Sequence, residues 1–139
     1  MIKIVIVVFM FIGGLFAKKF EPLGQQELEQ YCTSCHMVYQ AGFLPKRSWE
    51  LMFKEESLKN HFGDNVKIPA DKVKLFLQYY LSEASDVTTA KSSRKLNRSI
   101  DKNKIPLWIT RVPKLEDIHE DLTVQMVEEN KDVKKISNC

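Results

Sequence analysis

Along much of the chain after residue 24, large apolar side chains return at spacings of three and four, a period that predicts helices rather than strands. Between Gly24 and Gln40 the positions Leu28, Tyr31, Cys32, Cys35 and His36 fall on one side of such a helix, with Gly42 as its end. A second helix is predicted from about Arg47 to Asn60. Trp49, Met52 and Phe53 form its apolar stripe, Glu50, Lys54, Glu55 and Lys59 face water, and His61-Phe62-Gly63-Asp64-Asn65 breaks it. The clearest repeat, Val73, Phe76, Leu77, Tyr80, Leu81 and Ala84, predicts a third helix opened by Pro69, whose fixed φ suits a first turn.

Beyond Ser82 the pattern fades. Residues 82–104 are rich in Ser, Thr, Lys and Arg with few large apolar side chains, so they read as a connector unable to close a core alone. Between Lys91 and Lys104 the basic residues Lys91, Arg94, Lys95, Arg98, Lys102 and Lys104 face a single acid, Asp101. Ile105 to Pro113 is predicted to be extended, because Pro106 and Pro113 each disfavour helix at the residue before them. The tail from Leu115 to Ile136 alternates acids with apolar positions and predicts one short helix, about Asp121 to Asn130. Composition agrees with a mostly α protein. The 139 residues fit one domain or two very small ones, and five Gly and five Pro are too few for a turn-rich β-sandwich.

The first residues form a different pattern. Ile4 to Phe16 is an uncharged apolar run behind Lys3, shorter than the roughly 20 residues a membrane span needs, and it reads as the apolar part of a secretory signal. We therefore expect residues 1–17 to be a cleaved signal peptide, with an uncleaved anchor as the alternative. The net charge of +3 is too small for the gathered basic excess of a nucleic-acid binder, and no nucleic-acid partner is expected.

The chemistry is concentrated in Cys32-Thr33-Ser34-Cys35-His36. Two thiols three positions apart can each add to a vinyl group of haem while the adjacent imidazole meets the iron, which is the attachment pattern of a c-type haem. A thioredoxin-like dithiol and half of a zinc site are the competing readings. No βαβ pattern surrounds the thiols, and no second Cys/His pair stands at zinc-finger spacing. Export also fits covalent haem attachment.

With His36 as proximal ligand, the candidates for the sixth position are His61, His119, Met37, Met52 and Met126. Met37 is beside His36 and cannot reach across, and Met52 lies on an apolar stripe where a core role is ordinary. His61, before Phe62-Gly63, is favoured, with Met52 as the alternative. Two imidazoles would give a lower reduction potential than His with Met. The other ring N–H of His36 is expected to donate to a backbone carbonyl near residues 43–45. Trp49, Phe53, Phe62, Phe76 and Tyr80 are expected to line the haem. Cys139 is an odd thiol: free, in an intermolecular disulfide, or the first cysteine of a second haem motif.

These stretches together resemble the bacterial periplasmic dihaem cytochromes c. The resemblance rests on Cys32 to Met37, Leu44-Pro45-x-Arg47-Ser48-Trp49, His61-Phe62-Gly63-Asp64-Asn65, Ile109-Thr110-Arg111-Val112-Pro113, His119 and residues 133–139. It implies electron carriers with two covalent haems, each held by two histidines. Carried over, it assigns Cys32, Cys35, His36 and His61 to a first haem, and Cys139 with His119 to a second. The second motif would continue past Cys139, so one haem is expected in this chain and two in a full-length product.

The resulting expectation is a small cytochrome c-like helical haem domain with an extended, partly helical C-terminal segment. It divides into a signal at 1–17, a haem domain at 18–87, a basic connector at 88–104 and an incomplete second haem-binding segment at 105–139. It is expected in the periplasm as a single-electron carrier rather than an enzyme. A haem sensor with a displaceable sixth ligand is the runner-up, and a thiol oxidoreductase the third class. Its expected partners are other cytochromes or a membrane-bound cytochrome, met through the basic connector if their faces are acidic. The membrane enters only through an uncleaved leader.

Overall fold

The strongest apolar repeat of the sequence becomes the longest helix of the described residues. The computed structural model describes residues 25–63 and 67–131. Its helices are α1 (Gln25–Cys32), α2 (Lys46–Met52), α3 (Glu55–Phe62), α4 (Ala70–Ser82), α5 (Lys91–Ser99), α6 (Pro113–His119) and α7 (Val124–Glu129). Short 3₁₀ turns stand at Ala41–Phe43 and Ile109–Arg111, and no strand occurs among the described residues.

Helix α4 is the spine. Its inward face buries Phe76 and Tyr80, each contributing about 1.5–3 kcal/mol by leaving water. Tyr80 packs on Trp49 of α2 with ring centroids 4.1 Å apart, and Phe76 meets Tyr31 of α1 at 5.8 Å. Both carboxylate oxygens of Glu27 accept from Lys72 Nζ at 2.9 Å, fastening α1 to α4 at their rim. Trp49 fixes the intervening chain as well, because its indole N–H reaches the carbonyls of Ala41 and Leu44 at 2.9 and 3.1 Å. One apolar cluster runs from Leu28 through Leu44, Phe76 and Ala84 to Leu96, Ile100 and Val112.

Several predicted boundaries change. The first helix stops at Cys32 rather than Gln40. Thr33 and Ser34 favour turns because their hydroxyls compete for backbone groups, and Thr33 Oγ1 donates to the Glu29 carbonyl at 2.6 Å. Gly42 therefore lies inside a 3₁₀ turn instead of ending that helix. The second helix divides in two at Phe53-Lys54, where no Gly or Pro announces a break; Phe53 instead turns its ring onto Tyr80, 5.5 Å away. The third runs Ala70–Ser82 with Pro69 as its N-cap, close to the predicted Pro69–Ala84.

The segment expected as a basic connector carries α5, whose Ser93, Leu96 and C-cap Ile100 are buried in the common core. Gly42 explains how so polar a helix packs there. A Cβ on Gly42 would collide with Ser93 Oγ and come within 3.1 Å of Ser93 Cβ, so small residues permit a close approach. The segment expected to be extended contains a 3₁₀ turn at Ile109–Arg111, and Pro113 opens α6 rather than closing the extended run. The tail holds two short helices where one was predicted, the second capped by Thr123, which accepts from the Met126 N–H. Residues 1–17 and Cys139 lie outside the described residues. Among those described, no helix is long and apolar enough to cross a membrane.

Candidate functional site

The end of α1 positions the motif. The backbone N–H groups of Cys35 and His36 both bond to the Cys32 carbonyl, at 3.2 and 3.1 Å, wrapping Thr33-Ser34-Cys35-His36 into one tight turn. Cys32 lies half-buried in a cavity wall, where burial and, secondarily, Cys35 push its thiol above the ordinary 9.0; Cys35 is exposed. No disulfide joins them. His36 Nδ1 lies 2.6 Å from the Met37 carbonyl. The expected backbone partner is thus present, supplied by Met37 rather than by residues 43–45, because the tight turn brings the nearer carbonyl beneath the ring. Donation from Nδ1 leaves Nε2 as a lone-pair donor. Tyr39 stacks on the His36 ring with centroids 5.0 Å apart and planes 22° from parallel, which restricts its rotation.

Helix α3 supplies the opposing group. His61 occupies its last turn, and Gly63, at φ 68°, ends the helix while its N–H bonds to the Lys59 carbonyl at 2.9 Å. That left-handed backbone suits glycine. The His36 and His61 rings stand 5.8 Å apart between centroids, with planes 83° apart. Partial burial, with His36 adding, lowers the pKa of His61 below 6.5 and favours its neutral, metal-binding form. Two metal–imidazole bonds of about 2 Å each, plus two ring half-widths, span roughly 6 Å. The 5.8 Å separation is thus close to what one metal atom between two imidazoles requires.

Around them lies a cavity of about 590 Å³. Trp49, Phe53, Phe62, Phe76 and Tyr80, the five aromatics expected there, all line it. Burial, with smaller contributions from Cys32 and Tyr79, drives the Tyr80 phenol far above its ordinary 10.0; its hydroxyl donates to the Tyr39 carbonyl at 3.2 Å. A largely apolar wall with few polar groups suits a flat organic cofactor. The dimensions, the two imidazoles 5.8 Å apart and the thiol at the wall together fit haem.

Met52 shares the cavity wall with His36 and His61. Met37 and Met126 are exposed outside it. His119 ends α6 away from this cavity, with Nδ1 2.7 Å from the Leu115 carbonyl, a contact that in the Nδ1-donating tautomer leaves Nε2 as acceptor. Besides contributions from Ser57, Leu58, Asn60 and Ile68, two parts of the wall stand out as not anticipated. Tyr39 is one, and Leu107-Trp108-Ile109-Thr110 is the other, reaching over the cavity from the chain's second half. Arg47 holds the approach to that strap, its guanidinium donating to the carbonyls of Lys104 and Asp101 at 2.9 and 3.2 Å. An apolar trio bracketed by prolines was the available signal, since such a trio needs a surface to cover.

The family model described as dihaem cytochrome c matches residues 28–139. The fold is similar to that of a dihaem cytochrome c from Rhodobacter sphaeroides, with a TM-score of 0.65 and 28% identity over 87% of this chain and 88% of that one. It is also similar to a crystal structure of DHC purified from Rhodobacter sphaeroides, with a TM-score of 0.57 and 27% identity over 86% and 87% of the two chains. No curated protein sequence matches the chain.

Proposed function

Because the chain belongs to the dihaem cytochrome c family, whose haem c is covalently bound and which serves electron transfer, we propose that it is a periplasmic single-electron carrier. The observation that carries this reading is the His36–His61 pair, with ring centroids 5.8 Å apart, in the wall of an apolar cavity that Cys32 also lines. Cys32 and Cys35 tether the haem, His36 is its proximal ligand and His61 its distal one. Bound there, haem supplies a one-electron iron couple.

The chain's own residues set the conditions. The Met37 carbonyl and the Tyr39 ring orient His36. Aromatic side chains make much of the cavity wall, and Leu107–Thr110 lines another part of it. Two histidines holding the iron would leave no open position for oxygen or peroxide, which is why a carrier is preferred to an enzyme. For a second haem the proposal assigns His119 and Cys139. The partners are redox proteins such as other cytochromes, free or membrane-bound.

Carbon monoxide tests the ligand assignment on the reduced, haem-loaded protein. The visible bands of the wild type are expected to stay unchanged, whereas His61→Ala exposes the iron and shifts them. If His61→Ala leaves the bands fixed and instead raises the reduction potential, Met52 has taken the distal position. A large, fast shift in the wild type would replace the carrier with a ligand-binding haem protein.

A further inference from the structure

Lys91, Arg94, Lys95 and Arg98 fall at i, i+3, i+4 and i+7 on α5, and all four are exposed opposite the buried Ser93, Leu96 and Ile100. The helix carries no acid. None of the four takes part in an ion pair among the described residues. Four cations on about two turns repel one another and oppose helix formation, since like charges at this spacing are destabilising. Core packing through Leu96 and Ile100 holds them there without neutralising them.

Beside the stripe is an open hollow of about 450 Å³ walled by Thr88, Thr89, Arg94, Asn97 and Arg98. Its one acid, Asp86, already accepts the Lys46 backbone N–H at 3.0 Å. The surface is thus concave as well as cationic, and its guanidiniums can grip carboxylates bidentately. It also lies near the redox site. Ser93 packs on Gly42, two residues before Leu44 in the cavity wall, so the stripe stands about one helix diameter, ~10–12 Å, outside that segment.

We propose that this face of α5, with the adjoining hollow, is the docking surface for an acidic redox protein. The proposal rests on the carrier reading and names the kind of partner that reading requires. Carboxylates on the partner neutralise the stripe, steer the encounter and orient it toward the cavity. A small net charge does not weaken the argument, because the charge is gathered on one helix face and steering depends on that local field.

The test uses the full haem-loaded chain and two reductants in stopped flow: reduced flavodoxin, an acidic single-electron carrier, and photoreduced lumiflavin, which is uncharged. In Lys91→Gln/Arg94→Gln/Lys95→Gln/Arg98→Gln the second-order rate with flavodoxin is expected to fall at least about tenfold at low salt and to lose most of its salt dependence. The lumiflavin rate is expected to remain that of the wild type, which also shows that the haem site is intact. An unchanged flavodoxin rate with an unchanged lumiflavin rate overturns the docking surface and leaves the carrier standing. Failure of both reagents to reduce the wild type overturns the carrier reading itself. If the variant keeps its flavodoxin rate but loses binding to phosphatidylglycerol vesicles, the face serves a membrane and the proposal is wrong.

Discussion

Gly42→Ala isolates the contact that lets a polar helix enter the core. Gly42 needs no left-handed backbone, so alanine is conformationally admissible there; reduced freedom of the unfolded chain alone would stabilise the protein by about 0.4–1 kcal/mol. The added methyl, however, collides with Ser93 Oγ and crowds Ser93 Cβ at 3.1 Å. Relieving that overlap means shifting α5 or the 3₁₀ turn, and overpacking of this kind costs about 1–3 kcal/mol. At mid-range values, about 0.7 kcal/mol gained against about 2 kcal/mol lost, the crowding wins and leaves a net loss of about 1.3 kcal/mol. In urea, with a slope near 2 kcal/mol/M, the midpoint of the haem-loaded protein should fall by about 0.6 M. Ser93→Ala alone should change little, and Gly42→Ala/Ser93→Ala should recover most of the loss, because the Oγ overlap is gone while the Cβ contact remains. A Gly42→Ala midpoint equal to or above the wild type would refute the close approach. So would a double variant no more stable than Gly42→Ala.

Three further outcomes follow from the site. Trp49→Phe deprives the Ala41 and Leu44 carbonyls of their indole donor, and a stability loss of about 1–3 kcal/mol in denaturant unfolding is expected. Arg47→Gln releases the Asp101 and Lys104 carbonyls, so amide exchange over 101–108 should accelerate, with the far-ultraviolet spectrum unchanged. Tyr80 supplies an alkaline prediction. Its folded pKa is raised by burial, so the protonated phenol's stabilisation is complete below the ordinary 10.0 and declines as pH rises beyond it. Tyr80→Phe should lose about 1 kcal/mol at neutral pH, with the Tyr39 carbonyl left without that donor, yet fall less than the wild type on going above pH 10.

The sequence by itself determined the helical class, the α4 spine and the chemistry of Cys32 to His36, because each is written in local spacing. An apolar repeat names a buried face, and two thiols three apart beside an imidazole name a cofactor. It also named the five aromatics around the cavity, since rings at helical spacing must go inside. Tertiary structure alone decided the rest. The break at Phe53-Lys54 carries no local breaker, and only the fold shows Phe53 capping α2 with its ring 5.5 Å from that of Tyr80. Helix α5 reads in sequence as a basic connector because residues 82–104 are rich in Ser, Thr, Lys and Arg with few large apolar side chains; beside Gly42, Ser93 is simply small enough to fit. His36 and His61 are 25 positions apart in the chain, and no periodicity within either segment fixes the 5.8 Å between their rings. That distance is set by the packing of α2 on α4 and α3 on α2, contacts between segments that local patterns do not encode.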